Sequence, residues 1–152
     1  MRNIKFTERI EIDCSPEYAF DYTQDYKNRL SWDTFLIKAM LTDGATTADT
    51  GVKAYCVAKN GLGMETEYVS FNRPERTAIK MTKGPFMFKT FFGTWTFKEI
   101  KDRKTEVSFI YAYQLRFPFS IVGALIKRNL QRNVKQRLRD LKKNIEQAAS
   151  MT

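Results

Sequence analysis

From residue 52 to 116 the chain carries its apolar side chains at strand spacing, and from 120 to 149 it carries them at helical spacing. That change of period, at Phe117-Pro118-Phe119, limits the fold more than any other feature. A run of short-turned strands has to share its apolar face with one long helix. With Ile126 set at 0° and about 100° added per residue, Leu130, Val134, Leu138, Leu141 and Ile145 fall between about 40° and 120°. They form one stripe, so the helix is amphipathic. Arg128, Arg132, Arg139 and Lys143 lie opposite it, flanked by Lys135 and Lys142. Three residues depart from this division. Lys127 falls inside the stripe at about 100°, Gly123 at about 60°, and Arg137 on its edge at about 20°. Ser120 is the expected cap, and some 30 residues give about 45 Å of helix, enough to cross a whole sheet.

Upstream, residues 5–13 alternate as a half-buried strand. Ser15-Pro16-Glu17 then reads as a helix start: a capping hydroxyl, a proline suited to the first turn, and an acid at its positive end. A second short helix is expected over 25–30. Strands are expected over 36–42, 52–59, 64–71, 76–82, 86–100 and 105–116. Asn60-Gly61-Leu62-Gly63, Asn72-Arg73-Pro74-Glu75, Lys83-Gly84-Pro85 and Lys101-Asp102-Arg103-Lys104 separate the later ones. Turns this short make consecutive strands antiparallel neighbours.

Composition narrows the chemistry. The 152 residues suit one domain, 1–152, with no repeat or linker. The chain has two cysteines and no histidine, so neither a histidine-relayed nucleophile nor a histidine or four-thiolate zinc site can be built. No phosphate-binding or dinucleotide-binding glycine loop is found. No apolar run reaches the length of a membrane span, and the first residues alternate charge rather than forming a signal peptide. A cytoplasmic setting with free thiols is the expectation. Net charge is +9, and residues 120–149 supply +6 of it through eight basic and two acidic residues. This basic face, 127–143, is either a solvated helix surface or a contact for an anionic membrane. Nucleic acid ranks lower, because no aromatic residue is interleaved with the basic ones.

One strand, two short helices, six strands and a long helix is an order that resembles the helix-grip fold of the START-related superfamily (SRPBCC). Its lipid-transfer and polyketide cyclase/dehydrase-like members are the nearest in character. The resemblance rests on Ile10-Glu11-Ile12-Asp13-Cys14-Ser15-Pro16-Glu17-Tyr18-Ala19-Phe20-Asp21-Tyr22, on Asp25 and Trp32, on Gly93-Thr94-Trp95-Thr96-Phe97, and on Thr105-Glu106-Val107. It implies an α+β fold in which a seven-stranded, curved antiparallel sheet grips the C-terminal helix, with an apolar cavity between them. It implies no single activity.

A helix about 10–12 Å across cannot fill the concavity of seven strands. Either side chains plug the remainder or it stays a pocket. The inward faces are taken to be Ile79 and Met81; Phe91, Trp95 and Phe97, with Gly93 between; and Val107, Phe109, Tyr111, Tyr113 and Leu115. The expected cavity lining is Ile79, Met81, Phe91, Trp95, Phe97, Phe109, Tyr111 and Tyr113 from strands, with Gly123, Ile126, Lys127, Leu130 and Val134 from the helix. Trp95, Tyr111 and Tyr113 would orient a mostly apolar guest, or bond one another in a solid core. Glu65 and Glu67 share a strand face, either as a proton-sharing pair or as a wet hairpin surface near Lys53 or Lys59. Lys127 either meets an anionic group or snorkels to water. Asp21, Asp25 and Asp33 read as ordinary acids beside the short helices, Cys14 and Cys56 as small apolar residues on strands that are not neighbours. Pro85-Phe86-Met87-Phe88 borders a pocket mouth or is edge packing.

The first functional expectation is binding or transport of a small hydrophobic or amphipathic ligand (lipid, isoprenoid or polyketide-like), with no metal, cofactor or catalytic residue, by a monomer or weak dimer. The alternative is a cyclase/dehydrase using a pocket carboxylate or tyrosine. The third is docking of the basic helix on anionic membrane.

Overall fold

The computed structural model describes residues 3–150. Strand β1 (Ile4–Ile12) leads into helices α1 (Pro16–Gln24) and α2 (Arg29–Trp32). Strands β2 (Leu36–Leu41), β3 (Lys53–Ala58), β4 (Gly63–Asn72), β5 (Arg76–Lys83), β6 (Phe88–Lys101) and β7 (Lys104–Leu115) follow, then α3 (Gly123–Ser150). The seven strands form one antiparallel sheet in the order β1-β7-β6-β5-β4-β3-β2. Hairpins join β2 through β7 in sequence, and β1 closes against the last strand, with Ile4 opposite Tyr113 and Ile12 opposite Thr105. Register shifts in the β2–β3, β4–β5 and β6–β7 pairs add bend and twist, so the sheet curls as a half-barrel around the helix. This is the helix-grip architecture.

Local chemistry explains most boundaries. Ser15 accepts the Tyr18 amide at 3.2 Å with Pro16 opening α1, as its sequence suggests. The second helix starts later than its expected 25–30. The Asp25 carboxylate takes the Lys27 amide at 3.0 Å, which closes a turn and postpones the helix to Arg29. Ser120 is not the cap of the long helix. Its amide already bonds the Arg116 carbonyl, and a 3-10 turn, Phe119–Val122, carries the chain into Gly123.

The 28 residues of α3 extend about 42 Å. Val134, Leu138, Leu141 and Ile145 are fully buried, so the stripe faces the sheet. Polar ties fix it from Lys135 onward to β1 and the residue that follows that strand. Lys142 Nζ donates to the Glu11 carbonyl at 2.7 Å, Glu146 accepts the Asp13 amide at 3.0 Å, and Lys135 pairs with Glu8 at 3.5 Å. The N-terminal half is less engaged, and Ile126 and Leu130 are only half-buried. The helix is therefore held along one edge of the half-barrel, and space opens beside it over the middle strands. Among the described residues no helix is long and apolar enough to cross a membrane.

Candidate functional site

A cavity of about 200 Å³ lies between β3–β7 and the stretch of α3 around Asn129–Arg137. Small residues on the strands keep it open: Cys56 and Ala58, Thr66, Thr77 and Gly93 all line it. A Cβ at position 93 would stand 3.2 Å from Ile79 Cδ1 and 3.6 Å from Phe109 Cε1, so glycine gives these two side chains room. Aromatic rings form much of the inner wall. Trp95 stacks on Phe109 at 4.0 Å between centroids, and Phe91 meets Tyr111 edge-on at 4.8 Å. Asn60, Leu62 and Asn129 are lining residues that remain exposed, and they mark the mouth. Pro85 and Met87 lie on the same rim, while Phe86 between them points to solvent.

Six of the thirteen expected lining residues are there: Ile79, Phe91, Trp95, Phe109, Tyr111 and Leu130. Met81, Phe97, Tyr113, Gly123, Ile126, Lys127 and Val134 stand outside the lining. The alternate residues of β6 and β7 from Phe91 to Phe97 and Val107 to Leu115 are buried, but other elements cover the two ends of each strand. Phe97 packs against Phe20 of α1, with ring centroids 5.4 Å apart. Tyr113 lies beyond Phe91, stacked on it at 6.3 Å and edge-on to Phe88 at 5.5 Å. Its hydroxyl has no hydrogen-bond partner among the described residues, and burial pushes its pKa up to about 12. Met81 folds over Gly84, and Gly123 faces Leu115 and Ile4. Val134 is core beneath the cavity, Ile126 packs on that core, and Lys127 is half-exposed.

The wall also holds a polar cluster that the sequence reading passed over. Arg137 donates through Nε and Nη2 to the Asp33 carboxylate, the shortest contact being 2.9 Å, and through Nη1 to the Tyr111 hydroxyl at 2.8 Å. Arg29, four residues before Asp33, donates through Nε to the same carboxylate at 2.8 Å and through Nη1 to the Thr23 carbonyl at 3.3 Å. Asp33 is completely buried, and the two arginines are 5–6% exposed. Rings cover the cations: Phe35 and Phe109 lie 5.0 and 5.2 Å from the Arg137 guanidinium, and Trp32 lies 5.0 Å from that of Arg29. Burial alone would raise the Asp33 carboxyl, but Arg137 and Arg29 outweigh it and hold the pKa down to about 2. Asp33 is therefore no routine acid beside a helix. It joins α2 to α3.

A second chain of hydrogen bonds runs through Tyr26, Tyr68 and Gln24. The Tyr68 hydroxyl donates to Gln24 Oε1 at 2.7 Å, so its 3.1 Å contact with Tyr26 takes the Tyr26 proton. Gln24 in turn donates to Thr23 Oγ1, which donates to backbone carbonyls of α1. Burial raises the pKa of both tyrosines, so they stay protonated. No carboxylate is among the lining residues. Glu65 instead accepts from Thr82 and pairs with Lys53, and Glu67 sits between Lys53 and Lys80 in the ladder, all outside the cavity. Cys14 and Cys56 are free thiols, and Cys56 is a lining residue.

Arg29, Asp33 and Arg137 escaped the sequence reading because each has an ordinary surface explanation alone. The one available signal was Arg137 at the edge of the apolar stripe, where a charge needs a buried partner.

The family model for "Polyketide cyclase / dehydrase and lipid transport" matches residues 3–146. No curated protein matches the chain significantly. Among solved structures, the Zhui aromatase/cyclase from a Streptomyces species superposes with a TM-score of 0.83 at 10% identity, covering 97% of this chain and 96% of that one. A START superfamily protein from Mycobacterium smegmatis gives 0.79 at 10% identity, covering 95% and 98%. A major latex-like protein from Panax ginseng gives 0.71 at 12% identity, covering 93% and 97%. At these identities the likeness is one of fold. The family match spans nearly all of the strands, helices and cavity described above, and the chain belongs to the polyketide cyclase/dehydrase and lipid transport family.

Proposed function

We propose that this protein binds a small hydrophobic or amphipathic molecule in the cavity and serves as its carrier or sensor. The observation that supports this over catalysis is the make-up of the wall. It is mostly aromatic and aliphatic, its charged residues are the two arginines, it includes no carboxylate, and burial keeps Tyr26 and Tyr68 protonated. Proton transfer needs a group whose pKa lies near working pH, and these groups stand far from it. Engineered apolar cavities of about 150 Å³ take up one benzene. The space here suits one or two rings or a short acyl chain, not a whole membrane lipid. Trp95 provides the readout, since a guest on its ring should change intrinsic fluorescence. Titration with naphthalene derivatives and with medium-chain acyl compounds should give a saturable signal in the wild type and none in Trp95→Phe. No saturable signal, with nothing small accompanying the purified protein in native mass spectrometry, would count against the reading.

A second reading concerns membrane contact, and one observation favours it. Phe86, Phe117, Ile121 and Leu125 are 65–75% exposed at the end of the molecule that carries the cavity mouth. Arg116 sits over the Phe86 ring at 5.2 Å, and Lys127 and Arg128 follow on α3. Large apolar side chains flanked by cations suit an anionic bilayer surface better than a charged helix face alone. Cosedimentation with anionic vesicles, absent with zwitterionic ones and weakened by Leu125→Asp, is the expected result.

A further inference from the structure

We propose that the guest is a small carboxylate, its anionic end held by Arg29 and Tyr111 and its apolar body against Phe91, Trp95 and Phe109. This rests on the cavity being a binding site, and it names the class of molecule bound. The argument begins with a charge count. Arg29 and Arg137 are both lining residues, and the single carboxylate they share, Asp33, is not. The acid stands behind the two cations, which leaves one positive charge unmatched and facing the cavity. Buried charge persists in proteins when it is paired. The rings around the guanidiniums soften the cost but bring no counter-charge.

Hydrogen-bond accounting points to the same place. Tyr26, Tyr68, Gln24 and Thr23 each pass a donor to the next group, so that chain ends satisfied on backbone carbonyls. Within the arginine cluster, two donor groups on the cavity wall are not used among the described residues. Nη2 of Arg29 makes no hydrogen bond among the described residues. The Tyr111 hydroxyl accepts from Arg137, and its own proton has no acceptor among the described residues. A guanidinium edge and a hydroxyl proton are donors only, and both suit a carboxylate. The unmatched charge is a single one, so a monoanion neutralises it where a phosphate dianion would overshoot.

The test compares three probes of one size and shape at pH 7: naphthoate, naphthamide and naphthylmethylammonium, each titrated calorimetrically into the wild-type protein. Naphthoate should bind at least tenfold tighter than the amide, and the ammonium at least tenfold weaker than the amide. Arg29→Met should bring the naphthoate-to-naphthamide ratio to within threefold of one, and Arg29→Lys should keep part of the preference. Equal affinity for acid and amide in the wild type would overturn the proposal while leaving a binding cavity in place. A preference undiminished in a folded Arg29→Met would overturn it too. Failure of all three probes would remove the binding reading itself. The wild-type comparison decides even if the methionine variant does not fold.

Discussion

Replacing Asp33 by Asn tests the electrostatics of the cavity wall directly. The side chains are nearly the same size, so packing is retained and the change is one of charge. Asp33 lies between two guanidiniums at 2.8 and 2.9 Å with no solvent access. Without its charge, two buried cations repel each other with no anion between them. Removing one partner of a buried pair costs about 3–5 kcal/mol. In a domain of this size each kcal/mol moves the melting temperature by about 2–4 °C, so the midpoint should fall by roughly 6–20 °C at pH 7. The pH dependence provides an internal check. The folded carboxyl titrates at about 2 and its reference value is 3.8, so the native state binds protons less readily than the unfolded one. Its contribution, on the order of 2 kcal/mol, is complete above the unfolded pKa and disappears as pH falls from about 4 toward 2. Urea unfolding followed by circular dichroism at pH 7, 5 and 3 should show a large gap between wild type and Asp33→Asn at the first two and a narrowed one at the third, with unchanged m values. Asp21→Asn, which breaks an exposed pair with Arg73, is the control and should leave the midpoint nearly unmoved. If Asp33→Asn behaves like that control, or the gap is as wide at pH 3 as at pH 7, the cluster is not held together by charge and the argument for an unmatched cation loses its basis.

Leu141→Ala removes a fully buried side chain beneath α3 and away from the cavity. It should destabilise by about 2–5 kcal/mol in a urea melt and leave guest affinity within twofold. Burial pushes the Cys14 thiol up to about 11 and raises that of Cys56 as well, so a thiol reagent at pH 8 should modify both slowly in the native protein and quickly in urea. Cys56 lines the cavity, so a saturating guest should slow its modification further and leave the rate at Cys14 unchanged, as peptide mass mapping would show.

The fold was legible because its signals repeat. Five stripe positions from Leu130 to Ile145 fix the buried face of α3, and alternation from Phe91 to Phe97 and Val107 to Leu115 fixes the concave face of β6 and β7. One wrong residue does not shift either pattern. The site was legible only in part, because lining a cavity is not a property of a strand face. Phe91, Trp95 and Phe97 share a face, yet Phe97 is covered by Phe20 from α1, and nothing in the periodicity of β6 says where α1 will lie. The same limit applies along α3. Leu130 reaches the cavity and Val134, one turn later, is sealed in the core, because ties to Glu8 and Glu11 of β1 and to Asp13 just beyond it pull the helix from Lys135 onward onto the sheet. The polar cluster was the least legible, since Arg137 meets the Arg29–Asp33 pair from 104 residues beyond Asp33 and none of the three belongs to a repeating pattern.

The cluster raises a question of purpose that stability alone does not answer. Well-packed apolar residues of similar volume usually replace buried ion groups at no loss, and often with a gain of about 1–4 kcal/mol. Asp33 joins α2 to α3, but a leucine contact at the same crossing would join them without desolvating three charges. A combined Arg29→Met, Asp33→Leu, Arg137→Met variant separates the two roles. If the cluster exists for a guest, the triple variant should be as stable as the wild type or more so. It should still change Trp95 fluorescence on binding naphthamide, and it should no longer prefer naphthoate. If the cluster is a structural staple, the triple variant should instead lose several kcal/mol, as Asp33→Asn alone does, because the hydrogen bonds to Thr23 and Tyr111 would have no replacement. The contrast between a single substitution that harms and a triple one that does not would mark charge kept for recognition, since only an unbalanced cluster is costly to the fold and only a charged one can select its ligand.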